Sequence, residues 1–549
     1  YLRRRIMANG YGISKWQDAK QINKELKNLT DQPIYCVSED ALKDVLNHFD
    51  TKCAKSKEIT TEAKKYIPGG VQHNLAFNFP FPMCMEKAEG AYLYDRDGNQ
   101  YIDFLQAGGP TILGSNFPAV REKVFELLNT CGPVTGLFHE GELLLAKKIN
   151  ELMPACEMFR MLGSGTESVM AAIRVARCAT KHKRVIKVGG AYHGWSDQMV
   201  YGLKIPGSRQ FLESHGIPGC YKTTDEVRPN DLCMLEAMLK RNVAKGGTAA
   251  VIVEPVGPES GTRPIDFDFN EKARILARKY GALFIFDEVV TGFRVGIHGA
   301  AGYFFGDKYK VDDTPVFIDG KPWMVDDKKL VDGKVVKFRR QGTGRDMYPD
   351  LTVFGKIVAG GYPSAGGVGG KKEYVSLMAA GLAGMGKKAY VGGTLAANPL
   401  SSYAGYLAIC EIEKNNACEV AGKAGDRLAA GLKALVKKYN LPYVVYNQGS
   451  IVHLECTGAM SYDFSNMSLL GSIIPMLKKK PEMLRRKVAM EQMGAAYMAN
   501  GIVTLAGSRL YTSMADTDEI IDEALRRFEN VFKTVVKCED ASRFEKKPH

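Results

Sequence analysis

No C-x-x-C occurs in this sequence, and none of its 12 cysteines stands closer to another than Cys410 does to Cys418. Scattered cysteines read as reduced thiols in a reducing compartment rather than as a disulfide framework. The 9 histidines form no H-E-x-x-H and no other pair at zinc-ligand spacing, so a metal site has no support. No apolar run approaches the roughly 18 residues of a membrane span. Basic runs stop at "YLRRR", "LKKK" and "FRR", so the net charge of +13 suits small anionic ligands better than nucleic acid. G-x-G-x-x-G is absent, which removes a Rossmann dinucleotide site. The nearest approach to a P-loop, "AGGVGGKK", has Ala365 for the first glycine and Lys372 for the Ser or Thr. The start "YLRRRIMANG" lacks the apolar segment of a secretory signal, and the expected location is cytoplasmic. Because Tyr1 is not an initiator, an upstream transit segment stays open.

What is present is the composition of an ordinary globular protein, 45% hydrophobic and 25% charged over 549 residues. Residues 1–55 form an N-terminal extension with a helix expected in "SEDALKDVLNHFDTKC" behind a serine cap. Residues 56–110 include a hairpin around Asp97-Gly98, and residues 111–400 alternate helical patterns with short apolar runs. That alternation is the βαβ pattern of a mostly parallel sheet flanked by helices. At about 306–346 "FIDGKPW" and "LVDGKVV" predict two Asp-Gly hairpins in a β insertion. Residues 401–549 predict a smaller C-terminal α/β domain, closed by a helix over "TDEIIDEALRRFENVFKTVV".

Three apolar runs share a polar ending: "TAAVIVEP" at Glu254, "GALFIFDEV" at Asp287 and "DLTVFGK" at Lys356. A single polar ending ordinarily marks where burial stops, and a lone lysine ordinarily snorkels to water. Three in series point to one crevice beyond the carboxyl ends of the strands, where α/β sheets bind ligands. A desolvated lysine there is a nucleophile toward carbonyls. Upstream, Gly163-Ser164-Gly165-Thr166 opens the helical pattern "ESVMAAIRVAR". Such a turn is either a plain helix cap or a phosphate cradle. A phosphate cradle, a carboxylate and a lysine are the parts that hold pyridoxal 5′-phosphate (PLP).

The motifs "IPGGV", "GAYLYDRDGNQYIDF", "LGSGTESVMAAIRVAR", "AYHGWSD", "VIVEPV", "FIFDEVVTGFRVG", "PDLTVFGKIVAGGYPSAG" and "GGTLAANPL" follow one another from about Tyr66 to Val535. In this order they resemble the class III aminotransferases of PLP fold type I, most closely the glutamate-1-semialdehyde aminomutase branch. The resemblance implies that Lys356 forms the Schiff base with PLP and shuttles a proton between substrate Cα and cofactor C4′. It implies that Asp287 pairs with the pyridine nitrogen, that Val289 packs on one ring face and that Tyr192 stacks on the other. Ser164, Gly165 and Thr166 would bind the phosphate. Thr394 would reach the phosphate of a neighbouring subunit, making a homodimer with shared active sites. His193 fits a structural role equally well, Glu288 and Arg294 are expected to brace the strand end, and the glycines after Lys356 to keep the chain slim beside the ring.

Two positions depart from the aminomutase pattern. Leu75 stands about where that branch has an arginine for the substrate carboxylate, and Gly108 replaces an aromatic residue before "GP". Glu259 matches an acidic position that many class III aminotransferases pair with a mobile arginine; Arg509 is the candidate partner and fits a surface arginine equally well. The expectation is therefore ping-pong amino transfer from an amino acid or amine to a keto acid or aldehyde. The alternative is intramolecular transfer by an aminomutase. A binding protein that merely retains the fold is disfavoured by the intact Lys356 and Asp287.

Overall fold

Short runs, apolar throughout in Thr248–Val253 after its first residue and mixed with polar residues or glycine in others, form seven strands of one sheet, most of them buried on both faces. In chain order these are β1 (Met158–Leu162), β2 (Arg184–Val188), β3 (Thr224–Val227), β4 (Thr248–Val253), β5 (Leu283–Asp287), β6 (Leu351–Gly355) and β7 (Gly366–Gly370). The structure is a computed structural model. It describes residues 10–76, 78–132, 134, 136–200, 202–207, 216–217, 220–305, 317–318, 321–322, 330–331, 334–335, 348–381, 386, 388–465 and 469–545. The spatial order is β1-β7-β6-β5-β4-β2-β3. β2 to β6 are paired in parallel, and β7 runs antiparallel to both of its neighbours. This is the mostly parallel sheet that the alternation of elements predicts. Parallel neighbours send their carboxyl ends to the same edge.

The chain divides into two units. One holds Tyr1–Tyr11, Glu122–Asn416 and Asp463–Ile474, and contains the seven-stranded sheet. The other holds Gly12–Arg121, Ala417–Tyr462 and Pro475–His549. Its core includes Phe49, Tyr101, Phe104, Leu428, Tyr497 and Phe528, all fully buried. Residues 12–55, read from sequence as an extension, lie in this second unit. Ser38 caps the helix Glu39–Lys52 and accepts from the Ala41 N–H at 3.2 Å, and Phe49 from that helix enters the core. Tyr35–Val37 pairs antiparallel with Val535–Lys537. The last helix accordingly ends at Phe532 rather than running on through "KTVV", because β-branched Val535 and Val536 find a strand partner there.

The Asp97-Gly98 hairpin joins Tyr92–Asp95 to Gln100–Asp103, with Gly98 at φ +90°. In the insertion Phe317–Ile318 pairs with Lys321–Pro322, and Leu330–Val331 with Lys334–Val335, as the Asp-Gly signals predict. The rest of the expected 306–346 insertion lies outside the described residues. No helix among the described residues is long and apolar enough to cross a membrane.

One tight contact positions the end of β6. Gly405, on the helix Pro399–Lys414, would place a Cβ only 2.0 Å from the Val358 carbonyl oxygen. On the facing side Gly360, at φ +62°, would place one 2.7 Å from the Ala404 carbonyl oxygen. The turn Lys356–Ala359 is therefore pressed backbone to backbone against that helix. Gly360 is the first glycine after Lys356, and this helix contact gives it a role of its own. That residue supplies a left-handed turn and a close helix contact.

Candidate active site

β4, β5 and β6 are adjacent and parallel, so Glu254, Asp287 and Lys356 leave one edge of the sheet side by side. Asp287 is the last residue of β5 and lies opposite Val353, three residues before Lys356. Lys356 follows β6 at φ +48°, a left-handed conformation costly for a residue with a side chain. It is half-buried, and no hydrogen bond or ion pair engages its ammonium among the described residues.

Asp287 is buried, and its two oxygens are separately held. Oδ1 accepts from the Val289 N–H at 3.1 Å and Oδ2 lies 2.6 Å from His193 Nδ1. Burial lowers the His193 pKa, with the bond to Asp287 opposing, so the neutral ring donates through Nδ1. Its Nε2 is buried with no hydrogen-bond partner among the described residues. His193 thus orients the carboxylate, a role its sequence context left undecided.

The loop carrying Tyr192 and His193 is pinned from both sides. Lys187, fully buried in β2, donates through Nζ to the carbonyls of Ala191 and Met199 at 3.1 and 3.0 Å. Glu254 Oε1 accepts from the Tyr192 and Glu259 N–H groups and Oε2 from that of Ser260, each at 2.8 Å. One carboxyl therefore ties the Tyr192 loop to the turn bearing Glu259, whose residues 259 and 260 sit at φ +54° and +55°. Burial, with Glu259 and Asp287 adding, pushes the Glu254 pKa up to about 8. Tyr192 is 46% exposed.

Glu288 is buried and accepts from the N–H groups of Ala300 and Ala301 and from the Thr291 hydroxyl, while its own N–H donates to Val353. It braces the strand end, as expected, and burial pushes it up to about 7. Arg294 is fully buried.

At the end of β1 the turn Gly163–Thr166 opens the helix α1 (Gly165–Thr180). Ser164 Oγ accepts from the Glu167 N–H, and Glu167 Oε2 accepts from the Gly163 N–H, a variant of the capping box. The serine hydroxyl is thus engaged as a cap. Gly165 and Thr166, half-exposed, sit at the positive end of the helix dipole, where the first N–H groups have no partner within the helix. A Cβ on Gly165 would lie 3.1 Å from Val289 Cγ2 and one on Gly355 2.8 Å from Val289 Cγ1, so both glycines make room for the Val289 side chain. Thr394 is exposed on a loop of the same unit, and Arg509 belongs to a strand of the other unit.

An oriented carboxylate, an unpaired lysine, an apolar platform at Val289 and a helix N-terminus fit PLP, down to the space left by Gly165 and Gly355. Fold and site together define a PLP-dependent transferase of fold type I. The family model for class-III aminotransferases matches residues 76–321 and 341–532, and the chain belongs to that family. It is 34% identical over 488 residues to the glutamate-1-semialdehyde 2,1-aminomutase of Acetivibrio thermocellus, covering 86% of this chain and 96% of that one. Among solved structures it is similar to an omega-transaminase from Sphaerobacter thermophilus, with TM-score 0.68, 22% identity and coverage of 89% and 99%. It is also similar to a glutamate-1-semialdehyde aminomutase from Pseudomonas aeruginosa in complex with PMP, with TM-score 0.69, 20% identity and coverage of 91% and 98%.

Sequence reasoning passed over Lys187 and the triple acceptance by Glu254. The first carries the same signal as Lys356, one lysine in an apolar run followed by Gly-Gly. The second had none, because its donors are backbone groups.

A pH dependence follows from Glu254. A carboxyl raised from 4.5 to about 8 stabilises the fold below the lower value, and that contribution is lost as pH rises through the upper one. In Glu254→Gln the fall of stability across this window should be shallower than in the unsubstituted protein, by up to about 1.4 kcal/mol per pH unit. Denaturant unfolding at several pH values reads this slope, and parallel pH profiles would remove the assignment.

Proposed function

We propose that this enzyme transfers an amino group between two molecules, from an amino acid or amine to a keto acid or aldehyde. The observation that carries the reading is the pair of departures from the aminomutase pattern. Leu75 and Gly108 are neighbours in the second unit: a Cβ on Gly108 would lie 3.3 Å from Leu75 Cδ1. They form one local change, in which an apolar contact stands where that branch has an arginine and an aromatic ring. An aminomutase has to retain its intermediate, which calls for a firm grip on the carboxylate. A transaminase has to release one product and admit a second substrate, and a wider, uncharged wall suits that.

When bound, PLP supplies the electron sink that makes the substrate Cα–H acidic. Lys356 Nζ is the nucleophile toward the cofactor carbonyl, and then the base and acid that moves the proton between Cα and C4′. Asp287, oriented by His193, holds the proton on the pyridine nitrogen. Ser164, Gly165 and Thr166 receive the phosphate through backbone N–H groups and the two hydroxyls, with the Ser164 oxygen also capping the helix. Val289 and Tyr192 enclose the ring. Glu259 and Arg509 are each assigned to substrate recognition, the arginine as the receiver of a carboxylate.

The active unit in this reading is a homodimer in which Thr394 reaches the partner's phosphate site. In support, Leu137 and Phe138 are each 74% exposed, and together with Gly393 and Thr394 they line a cavity of about 650 Å³. Isolated domains rarely leave such residues in water without a partner surface. The eleven cysteines with described side chains are free thiols, which suits the cytoplasm. The aminomutase reading is favoured by the names of three relatives at 33–34% identity, each a glutamate-1-semialdehyde 2,1-aminomutase.

Three measurements test these assignments. Borohydride reduction followed by peptide mapping should place the pyridoxyl label on Lys356, and label on any other lysine would sink its role. Sedimentation equilibrium should give twice the mass of one chain; a monomer that remains fully active rules out the shared site. An amino donor supplied without acceptor should release one equivalent of carbonyl product per site, and a keto acid added after donor removal should take up that equivalent. Efficient isomerisation of glutamate-1-semialdehyde, with no donor giving this half-reaction, would instead establish the aminomutase.

A further inference from the structure

The helix α2 (Leu469–Ala499) contains the segment LKKKPEMLRRKV, Leu477–Val488, with six basic residues and one acidic. One side of this segment is anchored. Arg486 is buried, pairs with Glu482 and donates to the carbonyls of Leu29, Thr30, Gln32 and Thr457. Ala489, Met490 and Met493 are buried on the same side. These contacts fix the rotation of the helix, so its opposite side has to face water.

That opposite side is apolar along its centre. Leu477 is 55% exposed, Leu484 is 54% exposed, Pro481 is exposed and Val488 half-buried. The spacing of these four residues is 4-3-4, which at about 100° per residue draws a single stripe. It is the a/d pattern of a coiled-coil seam, with Leu477 and Leu484 at d and Pro481 and Val488 at a. The positions that flank such a seam, e and g, are Lys478, Arg485, Lys480 and Lys487. All four are basic, two along each edge. Arg485 pairs with Glu545, Lys487 lies 3.9 Å from Glu491 at the C-terminal end of the stripe, and Lys480 is also engaged within the chain.

The flanking charges select the occupant. A second copy of this helix would set basic edge against basic edge in either direction, which repels. An anionic bilayer would accept the charge. It also requires a broad apolar face, usually with aromatic residues, and this stripe is narrow and has none. An amphipathic helix with apolar a/d positions and Asp or Glu at e and g satisfies both features. We propose that Leu477–Val488 is a docking seam for an acidic amphipathic helix of another protein. Docking there engages no residue placed in the active site.

The test titrates the full-length, cofactor-loaded enzyme with two designed helical peptides, both with Leu at a and d, one with Glu and the other with Lys at e and g. The Glu peptide should bind with an affinity that falls as salt rises, and the Lys peptide should not. Leu477→Ser/Leu484→Ser should weaken binding at least about tenfold, since two leucines lose their burial. Lys478→Glu/Lys480→Glu/Lys487→Glu should reverse the preference toward the Lys peptide. Both variants should keep the donor half-reaction, which shows that they fold. Equal binding of the two peptides, or Glu-peptide binding that neither variant changes, would overturn the proposal. So would binding to phosphatidylglycerol vesicles with neither peptide bound, or a seam-dependent increase in oligomer mass, which would name the bilayer or a second copy as the occupant.

Discussion

The site is governed by the cost of collecting carboxyl groups at the buried edge of a parallel sheet. Parallel strands send their carboxyl ends one way, and here β4 and β5 deliver Glu254, Asp287 and Glu288 to neighbouring positions. Burial makes each charge expensive, and each carboxyl is held by a different device. Three backbone N–H groups meet Glu254, two N–H groups and a hydroxyl meet Glu288, and His193 with one N–H meets Asp287. Asp287 alone has a side chain from a separate loop as its partner. A carboxylate fixed in that way is suited to hold a proton on a cofactor nitrogen, whereas the other two are spent on holding loops.

The same hydrogen bonds organise the walls. Glu254 links the Tyr192 loop to the strained turn at Glu259, and Lys187 ties the first of these from beneath. Lys356 is positioned by shape instead. Its turn is pressed on the helix Pro399–Lys414 through Gly360 and Gly405, where any side chain would strike backbone. Lys356 thus rests on a rigid support, and no hydrogen bond or ion pair among the described residues engages its amine, which suits the nucleophilic role proposed for it.

Membership of the class III family accounts for this edge of the sheet and leaves the choice of substrate to other residues. The departures at Leu75 and Gly108 are neighbours, since a Cβ on Gly108 would lie 3.3 Å from Leu75 Cδ1, and they count as one change in shape and charge in the proposed function. The basic stripe on α2 is of another kind. It lies on a helix face that the packing of Arg486 commits to water, and a need for solubility does not explain two exposed leucines at heptad spacing.

Periodicity, strand-end residues and turn chemistry were enough to read the alternating α/β architecture, the Asp-Gly hairpins, the Ser38 cap and the grouping of Asp287 with Lys356. These are local signals: a run of apolar residues, a glycine after an aspartate and a polar residue at the end of a run are visible one segment at a time. The fate of a group whose partner is distant in sequence was not legible. Lys187 and Lys356 carry nearly the same local pattern, yet one spends its ammonium on two carbonyls and the other stands unpaired at the end of β6. The role of His193 depended on Asp287, 94 residues away. That of Gly360 depended on a helix that starts at Pro399. Sequence alone determined which strands end in chemistry. Only the tertiary structure decided which of those ends are satisfied and which are left reactive, because satisfaction is a matter of atoms brought within about 3 Å across the fold.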